Sequence, residues 1–299
     1  MARVFITGST DGLGLAAAQS LLSDGHHVVL HARSAQRAAD LGKLREQVDG
    51  VVIGDLASAQ DVHGIADQVN AIGHIDAVIH NAGLYAVPER GATPDGHPTL
   101  LAVNTLAPYM LTALIERPAR IIYLSSSLHR GGEGSLEDID WTARAWDSSR
   151  AYAESKLHMV ALAFAIAGRR PNVLSNAVDP GWVRTRMGGA GAPVDQDTGQ
   201  RTQSWLAVSD DSIALFSGGY WHKLQRQQPA AEVTDTRFQE RLVAKLADLT
   251  GVEMSSADLL RPRPTSRRPR PLSSFPASAA RSSRGYDRFG SLTLRTRVS

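Results

Sequence analysis

Tyr152-Ala153-Glu154-Ser155-Lys156 sets a phenol and an ammonium four residues apart. On a helix, positions i and i+4 share one face. A free tyrosine has a pKa of about 10, too high for efficient proton transfer near neutrality. A lysine cation one turn away favours the phenolate by opposite-charge attraction. The pair is read as an acid/base, although its spacing alone is common and more often belongs to core and surface residues. Its weight comes from Ser125-Ser126-Ser127, which follow the apolar run Ile121-Ile122-Tyr123-Leu124. One hydroxyl there can donate to a carbonyl as charge develops on its oxygen.

Near the start, Thr7-Gly8-Ser9-Thr10-Asp11-Gly12-Leu13-Gly14 joins an apolar run to a helical stretch. Glycines let the backbone turn tightly and approach a pyrophosphate, whose charge a helix N-terminus favours. Gly8, Thr10, Asp11, Gly12, Leu13 and Gly14 are read as holding a dinucleotide. The spacing, G-x-x-x-G-x-G, differs from the commoner G-x-G-x-x-G fingerprint. After the second run comes His31-Ala32-Arg33, where an NAD site would want an acid for the ribose 2′-hydroxyl. Arg33 instead offers a fork of donors suited to a 2′-phosphate, so NADP(H) is expected, with NAD(H) as the lesser option.

The elements that position these groups follow from periodicity. Val4-Phe5-Ile6, His27-Val28-Val29-Leu30, Val51-Val52-Ile53, Ala77-Val78-Ile79, Ile121 to Leu124 and Val173 to Val178 are short apolar runs. Such runs are what strands buried on both faces look like. Segments at helical spacing, such as Leu15 to Leu22 and Tyr152 to Ile166, lie between them. The alternation predicts an α/β fold: a doubly wound parallel sheet with helices on both faces, Rossmann-like. Its ligands sit at the C-terminal ends of the strands. Residues 1–251 are expected to form one domain ending in a helix over Phe238 to Leu249, with 252–299 a disordered Arg/Pro/Ser-rich tail.

Charge divides the same way. Residues 252–299 hold ten arginines and three acids, a net of +7, whereas 1–251 carry 22 basic and 27 acidic side chains, a net of −5. A nucleic-acid-binding domain would place its basic excess in the folded body, so no nucleic-acid partner is expected. There is no cysteine, which excludes disulfides and thiolate metal sites. No apolar run approaches the roughly 20 residues of a membrane span. The chain enters a core strand from Ala2, so neither signal peptide nor membrane attachment is expected, and a cytoplasmic location is.

Together these residues resemble the short-chain dehydrogenase/reductase family, in its single-domain branch and on its retinol-dehydrogenase-like side. The matching stations are Thr7 to Gly14, Asp55-Leu56, His80-Asn81-Ala82-Gly83, Asn104, Ser126, Tyr152-x-x-x-Lys156 and Asp179-Pro180-Gly181-Trp182-Val183-Arg184-Thr185. The resemblance implies an oxidoreductase interconverting an alcohol and a carbonyl, in which Ser126, Tyr152, Lys156 and Asn104 are catalytic. Asn104 would hold a water linking Lys156 to solvent. Asp55 and Leu56 would meet the adenine end of the cofactor, and Asn81, Ala82 and Gly83 the adenosine side. Lys156 would also bind the nicotinamide ribose, with Pro180, Gly181, Val183 and Thr185 on the nicotinamide. Departures are His80, where the family commonly has Asn, a longer gap from Ser126 to Tyr152, and the tail.

Two other classes compete. A dinucleotide-binding sensor without turnover would be expected to lack Tyr152, Lys156 or Ser126. A sugar-nucleotide epimerase needs a larger C-terminal domain than the roughly 65 residues beyond Thr185 provide. None of the ten histidines forms a cluster with acids, so no metal is expected. His129 is read as a loop residue, Asp138-Ile139-Asp140 as a solvated loop, and Met187 to Trp205 as a mobile lid that sets specificity. The substrate is expected to be a small carbonyl or alcohol. Family members are often dimers or tetramers, which leaves a homo-oligomer open.

Overall fold

The computed structural model describes residues 1–254. Eight strands form one sheet in the order β3-β2-β1-β4-β5-β6-β7-β8. They are β1 (Arg3–Ile6), β2 (His27–Ala32), β3 (Gly50–Ile53), β4 (Ala77–His80), β5 (Arg120–Leu124), β6 (Leu174–Asp179), β7 (Gly219–His222) and β8 (Gln225–Gln227). All neighbours run parallel except β8, which folds back on β7. The first six are the runs of Val, Ile and Leu expected from sequence. The strand order reverses between β1 and β4, which opens the crevice where doubly wound sheets bind ligands.

Helices cover both faces: α1 (Gly12–Ser23), α2 (Ala35–Ala39), α3 (Ala59–Ile72), α4 (Thr99–Leu101), α5 (Ala107–Leu114), α6 (Ser148–Arg169), α7 (Gln196–Val208) and α8 (Thr236–Thr250). A π turn over Ala102–Leu106 joins α4 to α5. Ser34, Ser58, Asp147, Asp195 and Asp235 cap helices by accepting backbone N–H bonds, which is why those helices start there. One core packs Phe5, Val29, Val78, Ile121 and Ala177 against α3, α5, α6 and α8. The other packs Val4, Ile6, Leu30, Ile79 and Val178 against α1 and α7.

Three expectations change. The supposed lid is mostly α7, packed on α1 with Gly199, Thr202 and Leu206 buried, so only the stretch before Gln196 is loop. A bridge from Val183 to Val194 pins that stretch. Asp138-Ile139-Asp140 is organised rather than solvated. Asp138 accepts the Thr142, Ala143 and Arg144 amides, Ile139 is buried, and Asp140 meets His97 at 2.8 Å. The packed chain also passes residue 251: Val252 is buried, and its carbonyl accepts a 2.8 Å bond from the Tyr109 hydroxyl. The tail expected from sequence lies, from residue 255, outside the described residues.

Candidate active site and cofactor cleft

β1 delivers the chain into the glycine loop, whose shape depends on close backbone contacts. Gly8 has φ of +62°, and a Cβ there would stand 2.9 Å from that of Ala82. A Cβ on Gly14 would meet the Asn81 amide and the Gly8 carbonyl, each at 2.5 Å. Thr7 Oγ1 accepts the Asn81 and Ala82 amides at 3.0 Å, and Asn81 Nδ2 donates to the Thr7 and Gly8 carbonyls. Asn81 and Ala82 therefore brace the loop from β4. Asn81 Oδ1 is left buried without a partner.

His31, which no sequence pattern singles out, supports the loop from below. Its Nδ1 accepts the Gly8 amide at 3.0 Å and its Nε2 meets the Gly54 carbonyl at 2.9 Å. Burial lowers its pKa, which keeps the ring neutral as an accepting Nδ1 requires.

Asp11 stands at the N-cap of α1 but makes no side-chain cap bond. Its carboxylate pairs with Arg37 at 2.5 Å and Arg186 at 3.3 Å. Arg33 is exposed just beyond β2. Arg37, one helical turn past it, is absent from the sequence-based set of site residues; its spacing from Arg33 across the capping Ser34 is the signal that could have found it. Thr10 is half-buried in the loop, and Leu13 packs toward α7.

After β3, the Asp55 amide donates to Asp61, and Asp55 Oδ1 accepts the Ala57 amide. Leu56 points into the core. These features fit a phosphorylated dinucleotide: a glycine loop that a Cβ on Gly8 or Gly14 would crowd, and Arg33 where an NAD site would carry an acid.

β5, α6 and the π turn assemble the second half of the site. Ser125, Ser126 and Ser127 are separated by their surroundings. Ser125 is buried with its hydroxyl on the Lys156 carbonyl, and Ser127 is exposed. Ser126 Oγ accepts the Leu128 amide at 3.2 Å, and the Ser126 side chain is near enough to Tyr152 to favour its ionised form. Tyr85 packs its ring edge-on to Tyr152 with centroids 4.7 Å apart.

Burial pushes the Tyr152 pKa up to about 12; the nearby Ser126 side chain opposes this, and Asp179 and Tyr85 add to it. The net shift is opposite to the lowering expected from Lys156. Its Nζ donates to the Leu124 carbonyl at 3.0 Å and lies 5.5 Å from the Tyr152 ring centroid. Burial draws the Lys156 pKa down to about 8.

Asn104 lies in the π turn, a kind of helix defect frequent at functional sites. Its Oδ1 accepts the Leu84 amide, and its Nδ2 donates to the Leu84 carbonyl and the Ser155 hydroxyl. Lys156 Nζ and Asn104 both border Gly83, at 3.4 and 3.5 Å from where its Cβ would be.

Beyond β6, Pro180 and Gly181 turn the chain back over the cleft. Thr185 comes within 3.4 Å of a Cβ on Gly12, and Val183 and Leu13 both crowd Gly199. The segment after β6 thus meets the glycine loop and the start of α1. Among the described residues, no group of His, Asp and Glu is placed to hold a metal, and no helix is long and apolar enough to cross a membrane.

The short chain dehydrogenase family model matches residues 2–193. The chain is 40% identical over 257 residues to the short-chain dehydrogenase chyC of Penicillium rubens, covering 85% of this chain and 99% of that one. It is 29% identical over 285 residues to human retinol dehydrogenase 13, covering 85% and 86% respectively. A solved protein of Mycobacterium paratuberculosis superposes with a TM-score of 0.72 at 27% identity, over 85% of this chain and 95% of that one. The carbonyl reductase Sniffer of D. melanogaster shares the fold at a TM-score of 0.58 and 22% identity, over 77% of this chain and 99% of that one.

Proposed function

The chain belongs to the short-chain dehydrogenase family, and we propose that it is an NADP(H)-dependent oxidoreductase interconverting a small alcohol and its ketone or aldehyde, with Tyr152 as acid/base. The observation that carries this reading is the pairing of Tyr152 and Lys156 on α6, with Nζ 5.5 Å from the Tyr152 ring centroid, in a helix that packs against the turn that Ser126 caps. NADP(H), when bound, supplies or takes the hydride. In reduction, the Tyr152 phenol gives its proton to the carbonyl oxygen as negative charge develops there, and Ser126 donates a hydrogen bond to the same oxygen. A phenol whose pKa is raised by burial is protonated near neutrality, which suits that direction. In oxidation the proton moves from the alcohol to the phenolate.

Gly8, Thr10, Asp11, Gly12, Leu13 and Gly14 would hold the pyrophosphate, and Arg33 with Arg37 the 2′-phosphate. Asp55, Leu56, Asn81, Ala82 and Gly83 would line the adenosine side. Lys156, Pro180, Gly181, Val183 and Thr185 would hold the nicotinamide riboside. Asn104 has its side chain fully engaged, so its part in proton relay would fall to its backbone carbonyl.

A screen of aldehydes, ketones and alcohols with NADPH and NADH, followed by absorbance of the reduced nicotinamide, tests the reading. Turnover with NADPH ahead of NADH is expected. Tight NADPH binding with no reaction on any carbonyl or alcohol would overturn it.

A further inference from the structure

One carboxylate beside the site has no part in the proton transfer just described. β6 ends at Asp179, in register with His222 on β7, as Ala177 is with Tyr220. Alternate strand residues share a face, so Asp179, Tyr220 and His222 lie on the side where Ala177 and Tyr220 pack against α6. Asp179 Oδ1 accepts the Gly181 amide at 2.8 Å, and Oδ2 accepts the Tyr220 hydroxyl at 3.2 Å. His222 Nδ1 donates to the Asp179 backbone carbonyl at 3.0 Å and stands 3.9 Å from Oδ2.

The Asp179 side chain is 9% exposed, and among the described residues no arginine or lysine forms an ion pair with it. Its charge nevertheless acts on Tyr152, on Tyr220 and on His129. A nearly buried carboxylate held by neutral donors costs stability. Two oxygens offer about four acceptor positions, and the Gly181 amide and Tyr220 hydroxyl use two of them. Near the catalytic groups stand exposed apolar side chains: Tyr85, edge-on to Tyr152, is 43% exposed, and Leu128, two residues beyond Ser126, is 51% exposed.

We propose that Asp179 determines substrate choice: its carboxylate accepts a hydrogen bond from a hydroxyl, amide N–H or ammonium group on the carbon next to the reacting carbonyl, and repels substrates that carry a carboxylate there. The proposal rests on the alcohol–carbonyl reading above and names its substrate class. That class is neutral or cationic carbonyl compounds with an adjoining hydrogen-bond donor and an apolar remainder facing Tyr85 and Leu128.

Three ketones built on one phenyl ring isolate the effect. 2-Hydroxyacetophenone, acetophenone and benzoylformate differ only in the group beside the carbonyl. The full chain with NADPH should show kcat/KM falling in that order, by at least about tenfold per step. Asp179→Asn keeps groups able to meet the Gly181 amide and the Tyr220 hydroxyl but removes the charge, and should erase most of the disadvantage of benzoylformate. Asp179→Leu should bring 2-hydroxyacetophenone level with acetophenone. Ratios identical in the unmodified protein and in Asp179→Asn would overturn the proposal.

If none of the three is turned over, calorimetric binding of each to the protein with NADP⁺ measures recognition apart from catalysis. Preference for the hydroxy ketone over benzoylformate that weakens in Asp179→Asn supports the assignment of Asp179. Equal binding of the two overturns it.

Discussion

His129 Nδ1 donates a 2.7 Å bond to the backbone carbonyl of Ser126, while its Nε2 accepts the Ala230 amide at 3.0 Å. The two bonds together define one neutral tautomer, with the proton on Nδ1. Burial lowers the pKa of the ring, which preserves that form. The same ring packs 4.7 Å from Tyr220, the residue that holds Asp179. Far from being a plain loop residue, His129 ties the serine turn to the segment leading into α8.

His129 is therefore a positioning residue for Ser126. His129→Leu should lower kcat several-fold and destabilise the fold by about 1–3 kcal/mol, since it leaves the Ala230 amide unsatisfied. NADPH affinity should stay unchanged. His129→Asn, which can restore a donor toward Ser126, should recover part of kcat. Steady-state kinetics beside a fluorescence titration of NADPH separates these effects; a parallel loss of NADPH affinity would mean general disruption.

Arg33→Ala should weaken NADPH binding by about 1.5–3 kcal/mol, the worth of a charged hydrogen bond to phosphate, and leave NADH nearly untouched. Arg37→Ala should act in the same direction but less, because Arg37 is already paired with Asp11. Equal affinities for the two cofactors in the unmodified protein, measured by titration, would contradict the assignment of both arginines.

Acid should destabilise the fold through its buried histidines. Burial holds His80 down to about 3 and His158 down to about 4, and lowers His31 and His129 as well. Unfolded histidine takes a proton near pH 6.5. Between those limits the unfolded chain binds more protons, so stability falls as pH drops below about 6.5. His158 has both ring nitrogens unpartnered beside a small cavity lined by Trp141, Trp146 and Glu154. His158→Leu should flatten the loss of Tm between pH 7.5 and 5 without lowering Tm at pH 7.5 by much. A slope identical to that of the unmodified protein would remove His158 from the explanation.

The parts of the fold that can be read from sequence are those with local signals. β1 to β6 are apolar runs, the glycine loop has its spacing, and Tyr152 and Lys156 share a helix face. β7 and β8 carry no such signal. β8 is Gln-Arg-Gln, exposed throughout, and the hairpin turn places Lys223 at φ 49° and Leu224 at φ 62°. Tight turns of that hand usually announce themselves with Asn-Gly or Asp-Gly. The polar stretch before Trp205 resembles a lid because Gln200, Thr202, Gln203 and Ser204 are buried polar residues, which periodicity cannot detect. His31, His129 and Asp179 act through partners 23, 101 and 41 residues away. No spacing rule reaches so far. The retinol-dehydrogenase-like resemblance, by contrast, is carried by contiguous motifs, and the comparisons bear it out.

Tyr152→Phe removes only the phenolic oxygen from a ring packed against Tyr85, so the measurement that reaches the chemistry most directly is its turnover on a carbonyl that the unmodified protein reduces with NADPH. Folding and NADPH affinity should survive, and kcat should fall by about 100-fold or more, as expected when a positioned proton donor is lost. An undiminished kcat in Tyr152→Phe would contradict the proton transfer through Tyr152.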